Sequence, residues 1–191
     1  VEDDGDYNTA VGYQALVAQT GVSGTVANTA VGHQAGTAVT TGIMNTLIGH
    51  YAMYRATTQA DNNVVVGYNS MSGNFTTAAV VDCVVLGASA ATGTLTAGAS
   101  GLIAIGKQAG ANVTSGAENI IIGYQAGLML TTGGRNTIMG SYAGDALNTG
   151  GNNTFIGRTA GSAATTVSQS VFIGDGAGEA VTTGNRNIAI G

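Results

Sequence analysis

The sequence predicts an all-β protein, a parallel β-roll or β-solenoid of eleven short repeats with a period of about 17 residues. Three observations predict it. Glycine recurs at a nearly fixed spacing, the three residues before each such glycine are apolar or β-branched, and alanine usually follows three places after it. We call these residues the anchor glycines: Gly12, Gly32, Gly49, Gly67, Gly87, Gly106, Gly123, Gly140, Gly157, Gly174 and Gly191.

The intervals between anchor glycines divide the chain into two parts. They vary between coils as far as Gly106, and from there to Gly191 they are all equal. We predict a single repeat domain over 1–191, with irregular coils over 1–105 and regular coils over 106–191. Because the strand positions keep their register, the extra residues of the irregular coils are expected in turns. The predicted bulges are Val17–Ala27, Ser72–Val80 and Thr92–Ser100.

A short β-strand is expected before each anchor glycine. The residue three places before the glycine is always Thr, Val or Ile, which are β-branched and suited to strands. The residues two places and one place before it are apolar in all eleven repeats. Since neighbouring strand residues point to opposite faces, both faces of each strand are apolar. One thin coil can cover only one of them, so we predict that other copies of the chain cover the second face.

Polar residues of the repeat are expected to support the turns. Asparagine stands four places before the anchor glycine in eight of eleven repeats, and Cys83, Leu102 and Ser170 are the exceptions. Stacking places like residues above one another, so we expect the asparagine amides to hydrogen-bond along the stack and to turn backbone. Glycine also recurs seven places before several anchors, as at Gly116 and Gly133, and predicts a second turn. Each coil is therefore expected to contain two short strands and two turns.

Composition and charge argue against several functions. The chain has 32 Gly, no Pro and no Trp, and only 8% of its residues are charged. Its net charge is −5, with one Lys and four scattered Arg, so nucleic acid is not an expected partner. No apolar run approaches the ~20 residues that a membrane-spanning helix needs, so we expect no membrane insertion by this segment.

The sequence contains no arrangement typical of an enzyme. Only His33 and His50 could act as imidazole bases, and both directly follow an anchor glycine. Tyr, Lys, Arg and Asp occupy the same position in other repeats, which indicates an exposed rim. Cys83 takes the place of a repeat asparagine and is expected to be a buried free thiol. We predict no catalysis, no cofactor and no metal.

The repeats resemble those of trimeric fibre proteins. The units are NTAVGYQA at 8–15, NTAVGHQAG at 28–36, NIIIGYQAG at 119–127 and NTFIGRTAG at 153–161. They are similar to the NTAIGYQAG-type repeats of phage tail fibres and bacterial surface fibres that end in an intramolecular chaperone domain. They are also similar to the head β-roll of trimeric autotransporter adhesins. The resemblance implies a homotrimer with a structural or adhesive role, outside the cell or on a virion, and a cell-surface receptor or glycan as a further partner. This chain would then be part of a longer fibre.

The contact between the three chains is expected to use the residues two places before the anchor glycines. This column varies from Ala to Phe, and a gap between chains can vary in width more readily than the interior of one coil. The columns one and three places before the glycine share a face, and because the first is nearly uniform in size we assign that face to the interior of the coil. The candidates for the trimer interface are Leu47, Val65, Val85, Ile121, Ile138, Phe155 and Phe172.

Two other solenoid classes remain as alternatives. A left-handed β-helix acyltransferase consists of hexapeptides, and Ile122–Gly133 fits two of them, but the stretch left before Met139 is one residue too short for a third. Its base could only be His33 or His50. An ice-binding solenoid would present a flat ladder of threonines. Here, the threonines three places before the glycine are interrupted by Val and Ile.

Overall fold

Strands form where the sequence places three apolar or β-branched residues before an anchor glycine. The computed structural model describes residues 5–20, 24–56, 59–75 and 79–191. Within these residues eleven strands form one parallel sheet, each paired with the strand of the next coil, and helix is limited to one short 3-10 turn at Ala97–Ala99. The predicted all-β parallel solenoid is confirmed, and so is its repeat of about 17 residues.

The strands, in chain order, are β1 Gly5–Asp6, β2 Thr9–Val11, β3 Gly24–Thr25, β4 Thr29–Val31, β5 Thr46–Ile48, β6 Val64–Val66, β7 Val84–Leu86, β8 Ile103–Ile105, β9 Ile120–Ile122, β10 Thr137–Met139, β11 Thr154–Ile156, β12 Val171–Ile173 and β13 Ile188–Ile190. All except β1 and β3, which pair only with each other, belong to the long sheet.

The register places equivalent residues of successive coils side by side. Ile138 pairs with Ile121 on one side and with Phe155 on the other. Val65 and Val85 also pair, although the coil between them is longer than a regular one. The described extra residues of the irregular coils therefore lie outside the long sheet, as predicted, but they are not all in turns, because the predicted bulge Val17–Ala27 contains strand β3. Parts of two predicted bulges, residues 21–23 and 76–78, lie outside the described residues.

The second strand predicted for each coil is not a general feature. In the described residues, pairing outside the long sheet is limited to β1 with β3 and to isolated bridges at Ala56–Phe75 and Ser168–Asn185. Elsewhere single backbone hydrogen bonds join the coils, such as the one from Thr131 N–H to Asn148 O at 2.8 Å. These segments are rich in Gly and short of branched apolar residues, so they stack as turns.

The asparagine column forms the predicted hydrogen-bonded ladder. Asn136 donates from Nδ2 to Asn119 Oδ1 and to Gly150 O, both at 3.0 Å. Its own Oδ1 accepts the backbone N–H and the Nδ2–H of Asn153, again at 3.0 Å each. The side chain of Asn136 is buried, so its bonds satisfy polar groups that water cannot reach.

Replacement of Asn136 by Ala is expected to lower the free energy of unfolding by about 3 kcal/mol. The change leaves the backbone N–H of Asn153 and the carbonyl of Gly150 buried without these partners, and each such loss costs about 1–3 kcal/mol. Urea denaturation followed by circular dichroism would measure it. Thr132→Ala, at an exposed position of the same coil, is the control. Equal stability of the two variants would contradict a structural role for the ladder.

The interior of the coil contains the residues two places before the anchor glycines, which corrects the predicted interface. From β5 to β12 this column is completely buried within a single chain. The largest side chains of this column pack against a glycine four places after the anchor glycine. In the coils of Phe155 and Phe172 that position is glycine, and a Cβ at Gly161 would lie 2.9 Å from both rings. The candidates that the structure removes from the interface are Leu47, Val65, Val85, Ile121, Ile138, Phe155 and Phe172.

Candidate functional site: the outer face of the long sheet

The residues one and three places before each anchor glycine point away from the interior, opposite to the prediction for these columns. They form two parallel columns on the outer side of the sheet, and we call this surface the outer face. Its residues are Thr9, Val11, Thr29, Val31, Thr46, Ile48, Val64, Val66, Val84, Leu86, Ile103, Ile105, Ile120, Ile122, Thr137, Met139, Thr154, Ile156, Val171, Ile173, Ile188 and Ile190.

The outer face is apolar, regular and accessible in the single chain. Ile48 is 39% exposed, Ile156 36% and Ile173 37%, and exposure is higher only towards the two ends of the sheet, as at Val11 and Ile190. No charged residue occurs in either column, and threonine is the only polar residue type. With a strand spacing of ~4.8 Å, ten steps give a surface roughly 48 Å long, while its two columns are only about 7 Å apart. Apolar patches of this extent usually mark a contact surface.

One edge of the outer face carries exposed rings. In the position after the anchor glycine, Tyr13 stacks on His33 with ring centroids 5.1 Å apart, and His33 meets His50 at 4.8 Å. Tyr68 continues the row at 5.4 Å from His50. All four residues are exposed, so the predicted rim position is confirmed. Each histidine packs against neighbouring rings of this row.

Charged pairs of the regular coils lie beside the outer face rather than on it. Arg135 Nε lies 3.2 Å from Glu118 Oε2, and Arg158 Nη2 lies 2.9 Å from Asp175 Oδ2. Both pairs are mostly exposed, so each contributes at most about 1 kcal/mol to stability. Their main effect is to keep the borders of the sheet polar while its centre is apolar.

Cys83 is a buried free thiol, as predicted. Its Sγ lies 3.4 Å from the carbonyl oxygen of Val81, and burial raises the pKa of the thiol to about 11. The thiol is therefore protonated at neutral pH and is a poor nucleophile.

The described residues contain neither a metal-binding cluster nor a membrane-spanning helix. Across 5–20, 24–56, 59–75 and 79–191, no three His, Cys, Asp or Glu side chains are grouped so that they could hold a metal ion. In that same part of the chain, no helix has the length and apolar character needed to cross a bilayer.

The outer face could have been identified from a signal that column size alone does not give. Threonine occupies five of the eleven positions three before the anchor glycine, and these positions share a face with those one before it. The column two before the glycine contains no polar residue in any repeat. Because polar side chains favour the solvent-exposed face of a strand, the threonines indicate which columns point outward.

Comparisons with known proteins gave no match: no protein-family model, no curated protein and no solved structure is similar to this chain.

Proposed function

We propose that this chain is a structural or adhesive segment of a homotrimeric fibre, in which three copies pack through their outer faces. The observation that carries the proposal is the accessible apolar surface, roughly 48 Å long, without a charged residue in either column. The resemblance of the repeats to phage tail fibres and bacterial surface fibres supports the same function. The segment would act outside the cell, on a virion or a bacterial surface, and would present or form an attachment surface.

A second copy of this chain is the partner that the outer face fits best. Any partner that covers the outer face must present apolar groups at the same spacing along the whole sheet. Another copy of the chain has this spacing because it has the same repeat. Full burial of a Val or Ile side chain contributes ~1.5–3 kcal/mol, so covering the exposed third of each contributes about 0.5–1 kcal/mol. Over both columns the gain is on the order of 10 kcal/mol per chain, comparable with the ~4–15 kcal/mol cost of association.

Three copies suit the narrow shape of this surface. Two columns about 7 Å apart form a strip rather than a broad sheet face. Around a threefold axis, each column of the strip can contact a different neighbour, and closed rotational symmetry leaves no copy with an open surface. The charged pairs and the ring column then lie at the borders, where they remain in water.

The expected mass in solution is three times the 18.7 kDa of the chain, measured by light scattering after size exclusion. The triple variant Ile122→Asp, Met139→Asp and Ile156→Asp should lose the trimer, because it buries three carboxylates without partners. The matched control is Thr132→Asp, Thr149→Asp and Thr166→Asp. It places the same charges at the same interval, one in each of three successive coils, on exposed residues outside the face.

Circular dichroism of the same samples separates dissociation into folded chains from unfolding. A monomeric wild type, or an outer-face variant that remains trimeric, would contradict the proposal. Dissociation of the control to the same extent would also contradict it.

Ice binding is the second candidate, because it would use the same surface without a partner. The strands of the outer face are regularly paired, and threonine occupies five of its eleven positions three before the glycine. A monomeric chain with thermal hysteresis, abolished by the outer-face variant, would favour this function. The hexapeptide acyltransferase gains no such support. In the described residues, most coils contribute one strand where a triangular helix needs three. The absence of enzymatic activity stays an expectation.

A further inference from the structure

A polar groove with aromatic walls lies in the turns of the irregular coils, away from the outer face. Its volume is about 540 Å³. Tyr51, Tyr54 and Arg55 come from one coil, Asn69 and Asn74 from the next, and Thr94 from a third. Three coils span roughly 10 Å along the axis, enough for two or three linked sugar rings. Parts of two predicted bulges, Ser72–Val80 and Thr92–Ser100, contribute to the wall.

The tyrosines give the groove a preorganised aromatic surface. The rings of Tyr51 and Tyr54 lie 4.7 Å apart at 50°, and Tyr51 also packs against His50 at 3.9 Å. Both tyrosines are half-buried, so they are held in place while part of each ring remains accessible. Such rings offer an apolar face and a polar hydroxyl at low entropic cost, a combination that suits the C–H and O–H groups of a sugar.

Arg55 gives the groove an available cation. Its guanidinium carbon lies 5.7 Å from the centre of the Tyr54 ring, and the side chain is exposed. Arg135 and Arg158 each pair with a carboxylate, whereas Arg55 has no carboxylate partner among the described residues. A guanidinium placed over a ring with free N–H groups is suited to bidentate binding of a carboxylate.

The remaining lining supplies hydrogen-bonding groups. The side chains of Asn69, Asn74 and Thr94 make no hydrogen bond with another residue in the part of the chain that the structure describes. They provide both donors and acceptors, as the hydroxyl groups of a sugar require. A lipid chain would find few apolar groups here besides the two rings.

We infer that this groove, which we call the tyrosine groove, binds a short oligosaccharide bearing a carboxylate, with Arg55 on the carboxylate and Tyr51 and Tyr54 against the ring faces. The inference rests on the attachment role proposed above and names the ligand class for it. Two kinds of glycan share this chemistry: chains that end in sialic acid and chains of uronic acid.

The test is isothermal titration of the purified protein with 3′-sialyllactose and with trigalacturonate, each beside its neutral counterpart, lactose or galactotriose. We expect binding of at least one acidic sugar in the ~0.1–1 mM range and about tenfold weaker binding of its neutral counterpart. Arg55→Gln should weaken binding of the acidic sugar about tenfold and remove the preference. Tyr54→Ala should abolish binding of both the acidic and the neutral sugar.

Matched controls and a mass measurement make the outcome decisive. Arg158→Gln and Tyr142→Ala remove the same residue types outside the groove and should leave binding unchanged. No binding of either acidic sugar at 10 mM would overturn the inference, as would equal binding by Arg55→Gln. Light scattering on the same samples reports assembly separately. A trimer that binds no sugar therefore contradicts only the groove, and a monomer contradicts the fibre proposal whether or not it binds.

Discussion

Replacement of Phe155 by Asp is expected to unfold the solenoid. The ring is completely buried inside one chain and stacks on Phe172, with centroids 4.8 Å apart and planes 10° from parallel. Loss of a buried phenylalanine ring costs about 3–5 kcal/mol, and burial of an unpaired carboxylate adds several more. Together these costs approach the ~5–15 kcal/mol net stability of a typical domain. Circular dichroism at room temperature should show the loss of the β signal.

Ile156→Asp is the control for this prediction because it changes the very next residue. Ile156 belongs to the outer face, so a carboxylate there meets solvent in the separated chain. We expect this variant to keep the β signal and to lose assembly. If instead Phe155→Asp stayed folded and Ile156→Asp unfolded, the inward and outward columns would be reversed.

Replacement of Gly106 by Ala is expected to have the second largest effect. Gly106 has φ near +129°, a conformation that side chains rarely adopt, and an added Cβ would lie 2.5 Å from the carbonyl oxygen of Gly123 in the next coil. Backbone strain costs on the order of 1–3 kcal/mol, and the contact forces the two coils apart as well. The melting temperature should fall by roughly 10 °C, since 1 kcal/mol corresponds to about 2–4 °C at this chain length.

Gly101→Ala separates the effect of coil contact from that of backbone conformation. Gly101 also has a positive φ, +73°, but a Cβ there would meet no atom within 4 Å. Its cost should be limited to about 1–2 kcal/mol of left-handed strain. A Gly106 variant no less stable than the Gly101 variant would mean that close stacking at the anchor glycines does not constrain this fold.

The period of the sequence predicted the fold because one coil repeats one set of physical requirements. Glycine is needed where coils approach closely, a β-branched residue in the strand, and asparagine at the buried ladder. Each requirement recurs at one position of the repeat, so it is visible in the sequence as a column of one residue type. The sequence did not show in the same way which face of the strand points to the interior. Apolar residues on both faces remove the polar alternation that normally distinguishes inside from outside. The uniform size of Val31, Ile48 and Ile156 therefore predicts the wrong orientation for their column.

The repeat pattern did not predict the tyrosine groove, for a different reason. Its residues come from three coils of unequal length, and no column contains them all. Tyr54 and Arg55 occupy positions that in the regular coils contain other residue types, so they look like irregularities in the repeat. The predicted bulges located the region, while its chemistry depended on which turns approach one another.

The direction of the hydrogen bonds between coils determines how this rod responds to force. Both the backbone bonds of the sheet and the amide bonds of the ladder run from one coil to the next, along the axis. Tension applied to the two ends therefore loads the coils in series. The hydrogen bonds between any two neighbouring coils carry the whole force, because bonds between other coils do not share it. In the regular part the ladder lacks one amide, at Ser170, where the backbone N–H still donates to Asn153 Oδ1. In the irregular part Cys83 and Leu102 replace asparagine in two successive coils, so we expect the rod to yield there first.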